Sequence, residues 1–96
     1  MRKYELMYII RPDVDQEAVP AVTEKFQSII TSGGGEILKA EAPKKQRLAY
    51  EIKKYREGTY VLVQFSAPAS VVAELERVLK ITDEVIRHII VKDVVA

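Results

Sequence analysis

The sequence contains no cysteine and no tryptophan, a single histidine, and only four residues each of glycine and proline. Without cysteine there can be no disulfide and no thiolate metal site, which fits a reducing cytoplasm. His88 has no second imidazole to join it in a zinc ligand set, and no Ser-His-Asp arrangement can be argued beside Arg87. It reads as a strand histidine satisfied by its neighbours or lying at a contact surface. No apolar run approaches the roughly 20 residues of a membrane span. The opening Met1-Arg2-Lys3-Tyr4-Glu5 lacks a signal-peptide core. These absences lead to an expectation of no metal, no cofactor, no small-molecule substrate, no membrane partner and no enzymatic activity.

What is present is an ordinary globular composition, 48% hydrophobic and 30% charged over 96 residues. A chain of that length is expected to form one domain over residues 1–96. The formal net charge of +1 says little as a total. Its distribution says more, because local asymmetry sets an electrostatic footprint. Asp13, Asp15, Glu17 and Glu24 make the early part acidic. Lys44, Lys45, Arg47, Lys53, Lys54 and Arg56 make residues 44–56 basic, against Glu51 in the same stretch.

Apolar periodicity divides the chain into elements. Residues 3–10 alternate as a strand, with Tyr4, Leu6, Tyr8 and Ile10 on one face. Val19, Val22, Phe26, Ile29 and Ile30 form a helical stripe within residues 16–32. Asp15 is the expected N-cap, and Pro20 requires either a start near itself or a distorted first turn. Gly33-Gly34-Gly35 follows that helix, as a C-cap and turn would; a phosphate-cradling loop would precede one. Residues 36–42 are extended, and Pro43 makes that strand an edge strand or one with a bulge. Next comes a hairpin, with Leu48, Tyr50 and Ile52 as one apolar stripe and Val61, Val63 and Phe65 as the other. Its turn is expected at residues 53–58, ending in Gly58 as the residue able to take φ > 0. A second helix carries Val71, Val72, Leu75, Val78 and Leu79 inward, and residues 85–91 form the last strand.

The order β-α-β-β-α-β, with right-handed crossovers, predicts an α+β, ferredoxin-like fold: a four-stranded antiparallel sheet with both helices on one face. Met7, Ile9, Leu62 and part of the last strand are expected on the opposite, uncovered face, where residual apolar character marks a binding surface. The carboxylate pairs Asp13/Asp15 and Asp83/Glu84 flank element ends, where capping accounts for them. A phosphatase of this fold would need an anion-binding loop, and Pro12-Asp13-Val14-Asp15 is acidic there.

The basic hairpin has two readings. A lysine- and arginine-rich strand edge is protected against aggregation; the same cations, with Tyr55 and Tyr60 interleaved, also suit contact with phosphates and unpaired bases. Gly58-Thr59-Tyr60-Val61-Leu62-Val63-Gln64-Phe65 matches the aromatic pattern of RNA-recognition motifs poorly, since Val61 and Val63 stand where rings would stack. Recognition by backbone charge and shape fits better.

Several segments resemble one family. Arg2-Lys3-Tyr4-Glu5, Ile9-Ile10-Arg11-Pro12, Arg47-Leu48-Ala49-Tyr50-Glu51-Ile52-Lys53-Lys54 with Gly58 and Tyr60, and Asp83-Glu84-Val85-Ile86-Arg87-His88 look like the bacterial small-subunit ribosomal protein six family. The resemblance implies a ferredoxin-like fold and a cytoplasmic, ribosome-bound location. It also implies binding to the central domain of small-subunit ribosomal RNA together with small-subunit ribosomal protein eighteen. With the local charge, it singles out Arg2, Lys44, Lys45, Arg47, Arg87 and His88 for RNA or partner contact, and Lys53, Lys54, Arg56 and Lys92 as secondary contacts. The competing expectation is a non-catalytic interaction module that self-associates through a sheet edge or face.

Overall fold

The structure, a computed structural model, describes residues 2–92. Of the domain expected over residues 1–96, Met1 and residues 93–96 lie outside the described residues. The elements are β1 (Arg2–Ile10), α1 (Val19–Ser32), β2 (Glu36–Ala40), β3 (Lys44–Ile52), β4 (Tyr55–Ala67), α2 (Ala69–Ile81) and β5 (Val85–Lys92). All strand pairings are antiparallel, in the order β2-β4-β1-β5, with β3 also on β4.

The sheet therefore has five strands where four were expected. Pro43 is the physical reason, since it lacks the N–H that a ladder needs. It divides one edge ribbon into β2 and β3, which pair end to end along β4: Ala40 faces Val63, Glu41 donates its N–H to the Leu62 carbonyl, and Lys44 faces Tyr60. The spatial order of ribbons is still that of the ferredoxin-like fold.

β1 lies at the centre because its alternate residues are all large and apolar. Tyr4, Leu6, Tyr8 and Ile10 are buried against the helices, with Val61, Val63 and Phe65 of β4 beside them. Tyr4 stacks on Phe65 at 5.5 Å between ring centroids, and Tyr8 meets Phe26 of α1 edge-on at 5.0 Å. Such aromatic contacts add to the stabilisation from burial alone. From the helices come Val19, Val22, Phe26 and Ile30 of α1, and Val71, Leu75, Val78 and Leu79 of α2.

The helix ends differ in part from expectation. α1 begins at Val19, so Pro20 sits in the first turn, where its missing N–H costs nothing. Asp15 is not the N-cap. Ala18 holds that position without a side-chain cap, and Asp15 contributes its backbone carbonyl to the preceding turn, accepting from Ala18 and Val19. The triple glycine closes α1 as expected: Gly33 is the C-cap, Gly34 has φ +91°, and Gly35 donates to the Ile30 carbonyl at 2.8 Å. Asp13 and Asp83 pair with Arg11, at 3.2 and 2.8 Å, which ties the end of β1 to the turn before β5. Capping is thus not what these two carboxylates do.

Tyr8 carries a hydroxyl that is buried with no hydrogen-bond partner among the described residues. Burial pushes its phenol well above the usual tyrosine range. The unfolded chain releases this proton near pH 10, the folded chain holds it, and the stability of the neutral phenol is therefore complete below pH 10 and lost as pH rises beyond it. Tyr8→Phe should leave stability at pH 7 unchanged or raised by about 1 kcal/mol. It should also remove a loss of about 1.4 kcal/mol per pH unit above pH 10. Urea midpoints at neutral and alkaline pH check this, and parallel pH profiles for the two proteins would refute it.

Candidate nucleic-acid interface

β4 is longer than its neighbour. It pairs with β1 only from Thr59 to Ala67, so Tyr55–Gly58 run past the end of β1 together with β3. This projecting ribbon carries the basic stretch. A second apolar cluster holds it: Leu48 of β3 packs with Ile9 of β1 and Ile86 of β5, and Ile52, Tyr55 and Tyr60 pack around them. That cluster lies on the sheet face away from the helices. The face expected to be uncovered is thus covered at the ribbon end, where Ile9 is only 2% exposed. Tyr55 and Tyr60 belong to this packing. Tyr50 does not belong to the buried stripe assigned to it, being 60% exposed.

The reason lies in register. β3 pairs regularly with β4 from Lys44–Tyr60 to Arg47–Glu57, and the next pair is Ile52–Tyr55. Residues 48–51 stand opposite Arg56 alone, so they bulge and the alternation of faces is lost there. The bulge carries Tyr50 to β5, where its hydroxyl accepts a hydrogen bond from Arg87 and its ring centroid lies 5.9 Å from the guanidinium carbon. Nothing local in the sequence announces this; it depends on Leu48 finding Ile9 and Ile86.

The turn also differs from expectation. Ile52 and Tyr55 pair directly, leaving Lys53 and Lys54 as its two central residues, with φ of 49° and 72°. Positive φ at both centres is what a two-residue hairpin of type I′ demands, and Asn-Gly usually supplies it. Gly58 is not in the turn. It is buried in β4 opposite Gln46, and a Cβ on it would lie 2.4 Å from Cγ2 of Ile9. Its role is to leave room for the Ile9 side chain of the neighbouring strand.

Directly paired residues share a face. Lys45 and Arg47 pair with Thr59 and Glu57, on the side that Val61 and Val63 turn to the helices, whereas Lys44 pairs with Tyr60 on the open side. Lys44 lines a shallow depression there with Met7, Gln46, Tyr60 and Leu62. The six hairpin cations thus surround a single ribbon without sharing one face. Two of them have acidic neighbours at its surface: Lys45 to Glu57 at 3.8 Å and Arg56 to Glu51 at 3.9 Å. Exposed pairs of this kind are worth about 0–1 kcal/mol.

The other expected contacts fall elsewhere. Arg87 reaches the ribbon through Tyr50. His88 and Lys92 pair with Tyr8 and Tyr4, which places them on the helix side of β5 at the far edge of the sheet. Arg2 opens β1 opposite Ala67. Val61 and Val63 are buried in the core, so they offer no platform for bases. Among the described residues no group of three or more His, Asp or Glu could hold a metal ion, and no helix is long and apolar enough to cross a membrane.

A family described as ribosomal protein S6 matches residues 3–92. The chain is 52% identical over 92 residues to small ribosomal subunit protein bS6 of Moorella thermoacetica, covering 96% of this chain and 94% of that one. It is 50% identical over 93 residues to the protein of the same name from Desulforamulus reducens, covering 97% and 98%. Its structure is similar to that of 30S ribosomal protein S6 from Thermotoga maritima. The TM-score is 0.90 at 36% identity, over 95% of this chain and 86% of that one.

Two substitutions test the ribbon's backbone. Gly58→Ala should destabilise the fold by about 1–3 kcal/mol, through the clash with Ile9. Replacing Lys53-Lys54 with Asn-Gly should stabilise it by about 1 kcal/mol, by relieving two side-chain-bearing residues of positive φ. Urea denaturation measures both, and a neutral Gly58→Ala or a destabilising Asn-Gly would contradict the geometry.

Proposed function

This chain belongs to the ribosomal protein S6 family, and on that premise we propose that it binds the central domain of small-subunit ribosomal RNA together with ribosomal protein eighteen. In this reading it is a structural component of the bacterial small subunit, located with the ribosome in the cytoplasm, and catalyses no reaction. The RNA contact is the β3–β4 ribbon, through phosphates that position the protein without reading base sequence.

The observation that carries this reading is the turn. The chain places lysines at both positive-φ positions, where Asn-Gly would be less strained, and so holds cations at the ribbon tip at a cost in stability. A turn serving only to reverse the chain has no use for that arrangement. The surrounding cations also suit an extended RNA backbone better than a flat surface would. Lys44 lies on the open side and Lys45 and Arg47 on the other, so the ribbon can lie between phosphates and meet charge on both sides. Glu51 and Glu57 are weak competitors, because a phosphate offers charge-assisted hydrogen bonds of better geometry than exposed pairs near 3.8 Å. The protein partner's place is the open sheet face beside the ribbon, where Met7, Tyr60, Leu62 and Ile89 lie between Lys44 and Arg87.

If six cations meet phosphates, log K for the RNA, measured with the partner protein present, should fall with log salt at a slope of roughly −4 to −5. A flat salt response would exclude a phosphate interface. Reversing Lys44, Lys45 and Arg47 to glutamate should make that slope shallower and weaken incorporation into the small subunit while leaving the urea midpoint nearly unchanged. Unaltered incorporation would remove these residues from the interface.

A further inference from the structure

The two edges of the sheet are built differently. The β2/β3 edge is broken by Pro43 and by register shifts, devices that discourage another strand from pairing there. The β5 edge has none of them along most of its length. Its eight residues contain neither proline nor glycine, and its pairing with β1 runs unbroken from Tyr4–Lys92 to Ile9–Arg87. Among the described residues no strand pairs with its outer side. Ile89 and Val91 are 38% and 47% exposed on the open face.

Beside this edge a groove of about 570 Å³ separates β5 from α2. Ala69, Val72 and Ala73 form its helix wall, and Ile90 and Tyr4 its floor. The two alanines leave the space that larger residues would fill. An unpaired strand edge next to an apolar groove is the combination used in strand addition: the ladder supplies affinity and the groove takes every second side chain.

Charge decides the occupant. β5 carries Arg87, His88 and Lys92 and no acidic residue, so a second copy paired edge to edge would bring like charges together. Arg87 points to the open face; its guanidinium has five N–H donors, and Tyr50 takes a bond from only one of its nitrogens. Glu76 lines the groove and opposes an acid inside it. We infer that the β5 edge binds an extended segment of another protein, with apolar side chains turned into the α2 groove and acidic ones on the open face near Arg87. The groove lies across the sheet from the ribbon, so this does not rest on the RNA contact; Arg87 is shared with the open face assigned above to the protein partner.

The test uses the full chain and a soluble probe as long as β5, an eight-residue peptide alternating valine and glutamate. The same peptide with lysine for glutamate is the control. Amide chemical shifts should change along β5 and α2, and the glutamate peptide should bind at least about tenfold more tightly than the control. Arg87→Glu should abolish that preference. Ala73→Leu should fill the groove and prevent binding; if that variant fails to fold, Ala69→Leu serves at the other end of the wall. Shift changes confined to β3 and β4, or an undiminished preference in Arg87→Glu, would overturn the inference. So would dimerisation of the free protein through β5 in sedimentation, or β5 shifts produced by oligouridylate and not by the peptide. Unaltered RNA binding in the ribbon variants, with peptide binding intact, would count against the proposed function alone.

Discussion

The ladder between β1 and β4 is the constraint from which the rest of this molecule follows. It pairs every residue from Arg2–Ala67 to Ile10–Thr59 without a shift. Because side chains alternate along a strand, one unbroken register decides at once which residues of both strands meet the helices. A slip of one residue would turn one strand's set, Leu6 and Tyr8 or Val63 and Phe65, away from α1 and α2 and bring Glu5 or Gln64 in. Glu5 and Gln64 instead hydrogen-bond to each other at 3.0 Å on the other face, so the polar pair supports the register that the apolar pairs require.

The same ladder creates the ribbon. β4 continues where β1 ends, so residues 55–58 have β3 on one side and no strand of β1 on the other. An isolated two-stranded hairpin is marginally stable in water. Here Leu48, Ile9 and Ile86 provide what the ladder no longer does, joining β3, β1 and β5 on the face away from the helices. Gly58 belongs to this arrangement, since the space next to it is occupied by Ile9. The apolar contacts of the second cluster and the cations of the ribbon are therefore parts of one structure: the first holds in place the backbone that presents the second.

How far the sequence reveals this depends on the range of the interaction. The core stripes of β1, α1 and α2 are legible because each is a periodic signal within one element, and the triple glycine is legible because a helix end is local chemistry. Pro43 announces a break in the edge strand; that the two pieces both pair with β4 depends on the length of β4, which no local signal gives. The turn at Lys53-Lys54 was obscured by Gly58, a stronger turn signal than two lysines. It becomes visible only when Gly58 is needed elsewhere. Tyr50 followed the alternation of Leu48 and Ile52 until a bulge, set by contacts with Ile9 and Ile86, took it to Arg87. The cluster of hairpin cations is plain in the sequence. Their division between two faces is not, because it depends on the register with β4.

That division has an electrostatic consequence. Six cations on one face of a short ribbon would repel one another and favour the open hairpin. Pairing that alternates Lys44 with Lys45, and places Glu57 beside Lys45 and Glu51 beside Arg56, separates like charges while the ribbon is free. Pairs this exposed are screened within a Debye length of about 8 Å at physiological salt, so the acids moderate the repulsion without neutralising the surface. They also set a limit. A ligand that brings its own closely spaced negative charge gains from the cations and meets repulsion from Glu51 and Glu57, so affinity goes to ligands that can place charge near the lysines and arginines and away from those two positions. A flexible polyanion meets that condition only by giving up conformational entropy, whereas a folded one whose phosphates already match it does not. On the RNA reading proposed above, shape selection would therefore arise from the spacing of charges alone, with no base being read.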